Sequence, residues 1–210
     1  MTEREEFFIV AGYRATVLIP ENANGEWLWK TEFFHAFDKA EQDLYLMGYT
    51  RVYYEISDKY GSPQAIKLMD GFYHELIKRY SFLDKKCHLI GFSRGGLYAF
   101  NFVMAYPQRV KSVYLDAPVL DLRSWPRTDP KFGELDLHEQ VMKEYGFKSE
   151  EEFENYGCYP VWRLAEYFKL NIPTLLIAGS DDTTVTYSEN SQRMIGYCAA
   201  RDKPFIFYVK

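Results

Sequence analysis

The sequence predicts an α/β fold, with a mostly parallel sheet and helices on both faces. Two observations carry this. Short apolar runs alternate with amphipathic stretches along the 210 residues, the mark of repeated βα units. In addition, Gly91-Phe92-Ser93-Arg94-Gly95-Gly96 stands between the mostly apolar run Cys87-His88-Leu89-Ile90 and a buried-helix pattern from Leu97 to Tyr106, stopped by Pro107. A strand there meets a helix through one sharp turn.

The elements follow in order. Phe7–Val10 and Ala15–Ile19 flank Gly12 and read as a hairpin. Pro20 to Gly25 is a polar loop. Phe33, Phe34, Phe37, Ala40, Leu44 and Met47 recur at helical spacing and predict a helix from about Lys30 to Met47. Arg51–Ile56 is the next strand. Ser62 and Pro63 open a helix that runs to Tyr80, as N-cap and first helical residue. After the glycine-rich turn and its helix comes a strand, Val110–Leu115. Residues 121–160, with Trp125-Pro126, Asp129-Pro130 and a short acidic helix, contain no strand pattern and predict a lid insertion. The alternation resumes with a helix near Val161–Leu170, a strand Pro173–Ala178, a helix about Tyr187–Ala200 and a last strand, Phe205–Val209. The whole, 1–210, reads as a single domain.

Composition excludes several classes. A net charge of −5 without a basic stripe argues against a nucleic-acid partner. No apolar run is long enough to span a bilayer, and the start lacks a signal-peptide core, so a cytoplasmic protein with no membrane partner is expected. Three cysteines, Cys87, Cys158 and Cys198, have no metal spacing and fit free thiols. Most of the 18 Tyr, 16 Phe and 4 Trp are expected in the core, while Tyr and Trp at loop positions can also line a carbohydrate or aryl pocket.

A Gly-x-Ser-x-Gly between strand and helix is a nucleophile elbow, which makes the fold class α/β-hydrolase. Ser93 stands exposed at the strand end, and the Arg94 N–H points at a developing oxyanion, aided by the positive end of the following helix. Such a serine needs a histidine base and a carboxylate to orient it, in the chain order Ser, Asp or Glu, His. The acid is expected after the strand Pro173–Ala178, at Asp181 or Asp182, with Asp116 one strand earlier as the remaining candidate. The histidine is expected after the last strand. His88 precedes Ser93 on one strand by about 16 Å at ~3.3 Å per residue, His74 reads as a helix-surface residue, and His35, more than a turn into its helix, is expected to pack at the flank. His138, in the lid, is the one able to swing over Ser93. The base is therefore expected beyond Lys210, or the chain has lost it.

Trp27–Phe34, Tyr60-Gly61-Ser62-Pro63, Gly91–Gly96, Asp116-Ala117-Pro118, Ser124-Trp125-Pro126 and Gly179–Val185 together resemble the bacterial α/β-hydrolase serine esterases, in particular a polysaccharide-associated branch with this elbow. The similarity runs from about Val17 to Lys210. It implies a Gly-x-x-Asp-x-x-Val turn that selects Asp182 as triad acid. It also implies that Glu26-Trp27-Leu28 completes the oxyanion hole, and that Trp29, Glu32, Ser124 and Trp125 belong to the substrate pocket, while Trp27 and Trp29 read equally as core aromatics. Arg94 is expected to pair with Glu32 or to reach an oxyanion or a substrate carboxylate. The expected activity is a serine esterase acting on small-molecule or carbohydrate esters, acyl or alkyl, through an acyl-enzyme on Ser93, with no metal or organic cofactor. A non-catalytic binding protein on this fold, and a peptidase or lactonase, are the alternatives.

Overall fold

The structure is a computed structural model that describes residues 4–126, 133, 135–199, 201 and 203–210. The Asp129-Pro130 turn expected in the lid and Ala200 at the end of the last helix lie outside these residues. The strands are β1 (Arg4–Val10), β2 (Tyr13–Ile19), β3 (Trp27–Lys30), β4 (Thr50–Tyr54), β5 (Cys87–Phe92), β6 (Val110–Asp116), β7 (Thr174–Ala178) and β8 (Phe205–Val209). They form one sheet in the order β1-β2-β4-β3-β5-β6-β7-β8. β2 runs antiparallel to β1 and β4, and the remaining pairs are parallel. The fold is α/β-hydrolase, as the elbow and the alternation predict.

One strand departs from the sequence expectation. Trp27–Lys30 is β3, buried at every position, and it inserts between β4 and β5. The helix expected from Lys30 shrinks to α1 (Lys39–Leu46). Between them the chain turns through residues of positive φ, Phe33 at 56° and Phe37 at 51°, which no helix accommodates. The helical spacing of the aromatics is coincidental, because Phe33 and Phe37 serve a loop.

Alternation along β3 and β4 puts helices on both faces. Lys30 and Arg51 point one way, to Glu41 of α1 at 2.7 Å and to Asp38 at 2.6 Å. Trp29 and Tyr54 point the other way, onto Phe72 of α2 (Pro63–Arg79), and Trp29 also meets Phe102 of α3 (Gly95–Ala105). Ser62 caps α2 by accepting the Ala65 N–H at 3.1 Å, with Pro63 at the first position.

In the insertion after β6, the helices are α4 (Leu135–Tyr145) and α5 (Glu150–Glu154), followed by α6 (Leu164–Lys169). α4 docks on the loop after β4. Its Gln140 accepts from Tyr60 Oη at 2.6 Å, and Glu144 accepts from Lys59 and Ser62 at 3.1 and 2.9 Å. That loop in turn abuts the first turn of α3, where Tyr98 Oη donates to the Ile56 carbonyl at 2.7 Å. The insertion therefore sits at the C-terminal ends of the parallel strands, the elbow's end. α7 (Ser191–Cys198) closes the described helices. The three cysteines are free, and among the described residues no helix is long and apolar enough to cross a membrane.

Candidate active site

Ser93 follows β5 directly and holds a left-handed backbone with φ 52°. For a residue with a Cβ this conformation costs about 1–3 kcal/mol and persists only when its surroundings enforce it. Three hydrogen bonds do so. The Ser93 N–H donates to the Asp116 carbonyl, and the Ser93 carbonyl accepts from Val119 and Gly96, all at 2.9 Å.

The glycines after the serine are set by close approach. A Cβ on Gly96 would meet Pro118 Cβ at 2.5 Å, and one on Gly95 would meet Thr31 Oγ1 at 2.8 Å. Thr31 fastens the loop after β3 to the elbow, its hydroxyl donating to the Gly95 carbonyl at 2.8 Å and its N–H to the Ile90 carbonyl at 3.0 Å. Ser93 is part-exposed, and its hydroxyl has no hydrogen-bond partner among the described residues.

The loop after β3, not the strand itself, adjoins Ser93. Trp27 and Leu28 pair with Thr50 and His88, at the start of β4 and β5, a strand's length from the elbow. Glu26, just before, binds His88 Nε2 at 2.8 Å and also Lys111. Burial alone would raise the Glu26 carboxyl, but the bonds from Lys111 and His88 outweigh it and lower its pKa. The expected oxyanion role of Trp27 and Leu28 is thus corrected, because their N–H groups belong to the sheet. The loop Thr31–Phe34 takes their place beside the elbow. The Glu32 nitrogen lies 3.5 Å from where a Gly95 Cβ would stand. Trp29 is corrected as well. It is 1% exposed, stacked on Trp27 and packed edge-on against Phe72 and Phe102, a core residue rather than a pocket wall.

Glu32 and Arg94 meet as one of the two expected arrangements. Arg94 Nε lies 3.4 Å from Glu32 Oε1, and Nη2 donates to Oε2 at 3.4 Å. Ser57 Oγ also donates to Oε2, at 2.9 Å. Burial raises the pKa of the Glu32 carboxyl in spite of Arg94 and Ser57.

On the other side of Ser93, β7 ends at the turn that carries both aspartates. Asp182 Oδ1 accepts from the N–H groups of Thr184 and Val185, each at 2.9 Å, so this side chain organises the turn. Asp181 is exposed and, among the described residues, accepts only from Ser180 Oγ, at 3.3 Å. Asp116, which pairs with Phe92 across β5 and β6, accepts from Tyr114 Oη at 2.7 Å.

Asn190, which carried no signal in the sequence, ties the start of α7 to the segment that follows β6. Its Oδ1 accepts from the Leu120 and Asp121 N–H groups at 2.8 and 3.1 Å, and its Nδ2 donates to Ser124 Oγ at 2.8 Å. Ser124 is therefore spent on the frame, with its own hydroxyl donating to the Asp121 carbonyl at 2.8 Å. Trp125 is buried at 6.4 Å from the Tyr60 ring, and Tyr60 in turn lies 5.9 Å below the Arg94 guanidinium. A buried asparagine satisfying two successive backbone N–H groups can be found only once the fold has brought its partners together.

The histidines are engaged elsewhere. His88 is held between Glu26 and Ser112 at the start of β5. His74 sits exposed on α2 beside Asp70 and Arg109. His138 gives Nε2 to Glu150 and packs edge-on against Phe153. His35 lies tilted against the Phe34 ring at 4.7 Å and lines a cavity of about 740 Å³ with Leu18, Asp38 and Arg51, on the α1 side of the sheet.

No curated protein matches the chain significantly. Residues 48–210, from just before β4 to the end of β8, match the prolyl oligopeptidase family. That span contains the elbow, the insertion and the aspartate turn, and it is well over half of the sequence. The chain therefore belongs to the prolyl oligopeptidase family, serine hydrolases of the α/β-hydrolase superfamily.

Proposed function

We propose that this chain is the acyl-transfer unit of a carboxylic-ester hydrolase. Ser93 Oγ attacks the ester carbonyl while its proton passes to an imidazole. The tetrahedral intermediate collapses, the alcohol leaves with that proton, and an ester on Ser93 remains. Water then attacks this acyl-enzyme, its proton goes to the same imidazole and on to Ser93 Oγ, and the carboxylic acid is released. The Arg94 N–H and an N–H of the loop 31–33 hold the oxyanion. Asp182 orients the imidazole, which comes from a histidine other than the four of this sequence. The insertion 121–160 is the lid. The substrate is an acyl or alkyl ester of a carbohydrate or another small molecule, in keeping with the motif resemblance and with the exposed Phe37 ring next to Phe92.

The observation that carries the reading is the strained backbone of Ser93 between β5 and α3, with positive φ enforced by three hydrogen bonds while its part-exposed hydroxyl has no hydrogen-bond partner among the described residues. Peptide-bond hydrolysis is the second reading, favoured by the family match over residues 48–210.

The test is peptide mass spectrometry after exposure to p-nitrophenyl acetate with added imidazole. Acetyl groups concentrated on Ser93, and absent in Ser93→Ala, support the ester reading. Acetylation scattered over lysines and unchanged in the variant overturns it. Ser93-dependent release of a peptide p-nitroanilide faster than of the acetate selects the peptidase.

A further inference from the structure

An elbow needs only the backbone of the residue after its nucleophile, so the Arg94 side chain is not there for the turn. Its guanidinium lies 5.0 Å from the Phe33 ring centre and 5.9 Å from that of Tyr60. Its side chain keeps 20% exposure, whereas Glu32, its one acceptor among the described residues, keeps 1%. Arg94 Nε and Glu32 Oε1 are both buried and neither has a hydrogen bond of good geometry. A guanidinium offers five N–H groups, and here most are unspent.

The same flank carries an aromatic shelf. Phe92, directly before Ser93, meets the rings of Phe33 and Phe37 at 5.6 and 5.1 Å, and Phe37 is 82% exposed. A cluster of rings set edge-on and tilted to one another, with Phe37 outermost, and a planar cationic fork thus lie on one flank of Ser93.

We propose that this flank is a subsite for an ester bearing a carboxylate. The acid group pairs with Arg94, the planar part of the substrate rests on Phe37 and Phe92, and Glu32 is a positioning residue that holds the guanidinium. The proposal rests on the reading of Ser93 as nucleophile. Charge balance gives it a signature. The pair is neutral before substrate arrives, and a second carboxylate beside Arg94 pushes buried Glu32 to take up a proton. Its burial already favours the protonated form. The other groups facing Glu32 are the Ser57 hydroxyl and the phenols of Tyr53, Tyr60 and Tyr98, whose pKa values are all raised. Nearby Asp58, Lys59 and Glu144 are paired through Lys59.

The test uses Ser93→Ala protein, so that ligands persist, and calorimetry near pH 6 in buffers of different ionisation enthalpy. The probes are methyl 4-carboxybenzoate and its neutral isostere methyl 4-carbamoylbenzoate. The carboxylate should bind about tenfold tighter or more, the range of a charge-assisted pair, with net proton uptake. Adding Arg94→Met should erase the preference, Arg94→Lys should keep part of it, and Glu32→Gln should abolish the proton uptake. Circular dichroism of the lysine variant guards against misfolding as the cause. Equal affinity for the two probes, or binding of neither, overturns the subsite. Acetylation of Ser93 with no carboxylate preference defeats the subsite alone. Preference without Ser93 acetylation defeats the nucleophile reading and leaves the anion site standing.

Discussion

The Ser93 N–H donates to the carbonyl of Asp116 at 2.9 Å, so the last residue of β6 holds the backbone of the proposed nucleophile at its positive φ. The strain belongs to the Cβ and not to the hydroxyl. Ser93→Gly should therefore be more stable than Ser93→Ala by about 1 kcal/mol, in the range of the left-handed penalty. Both variants remove the nucleophile, and urea denaturation distinguishes them. Equal midpoints would mean that the turn is relaxed.

Close approach at Gly96 is a separate matter. A methyl group there meets Pro118 Cβ at 2.5 Å and Pro118 Cα and the Val119 carbonyl oxygen at 3.0 Å. Gly96→Ala should cost about 1–3 kcal/mol through overpacking. Pro118 and Val119 begin the segment that leads into the insertion, so any displacement moves the root of the insertion. Thermal melts give the cost directly.

Glu32 makes stability depend on pH in the sense opposite to most paired carboxylates. Burial raises its folded pKa above the ordinary 4.5, so the folded state binds the proton more tightly than the unfolded chain. Below 4.5 both states are protonated and no penalty exists. As pH rises through 4.5 and on through the raised folded value, the penalty grows to its full size. The melting temperature of Glu32→Gln minus that of the native protein should accordingly increase between pH 4 and pH 7. A difference that falls over this range would show Arg94 to dominate.

Much of this architecture is legible in the sequence. Ser62-Pro63 names its own helix start, and Gly91–Gly96 with its flanking apolar runs names the elbow and hence the fold. The turn after β7 shows itself in Gly179–Val185, where Asp182 accepts from the Thr184 and Val185 N–H groups. β3 does not. A four-residue strand buried on both faces has no alternation to display, and Trp27-Leu28-Trp29-Lys30 reads equally as the approach to the helix that Phe33 and Phe37 mimic. The resemblance alone points to Trp27, Leu28 and Trp29 as site residues, and in the sheet they are occupied by strand pairing and core packing. Thr31, Phe37 and Asn190 act through partners distant in sequence, which no local pattern encodes.

Asn190 gives a stability prediction without a direct catalytic part. Asn190→Ala leaves the buried N–H groups of Leu120 and Asp121 without their acceptor, at about 1–3 kcal/mol for such desolvated donors. It also releases Ser124 from the start of α7. Amide exchange should quicken at Leu120 and Asp121 first. Uniform acceleration across the sheet would place the loss elsewhere.

The last prediction concerns turnover by the 210 residues alone. Ser93 has no histidine at hand: His88 is fixed to Glu26 and Ser112, His138 to Glu150, His74 lies beside Asp70 and Arg109, and His35 lines the cavity over β2 and β4. A serine hydroxyl without its base remains neutral at neutral pH. Loss of one triad member typically costs on the order of 10⁴–10⁶ in turnover, leaving what the oxyanion donors and binding supply. The chain should hydrolyse p-nitrophenyl acetate scarcely faster than Ser93→Ala does, and His138→Ala should change nothing. Free imidazole should raise the native rate and not that of Ser93→Ala. In a polypeptide that supplies the histidine in place, activity should appear and fall by roughly 10⁴ on Asp182→Asn, which keeps an acceptor for the Thr184 and Val185 N–H groups but loses the charge. Asp181→Asn should leave that activity within about twofold, since nothing in the turn depends on its charge. Brisk turnover by residues 1–210 that disappears in His138→Ala would give the base to the lid, and Nε2 would then have to leave Glu150 to reach Ser93.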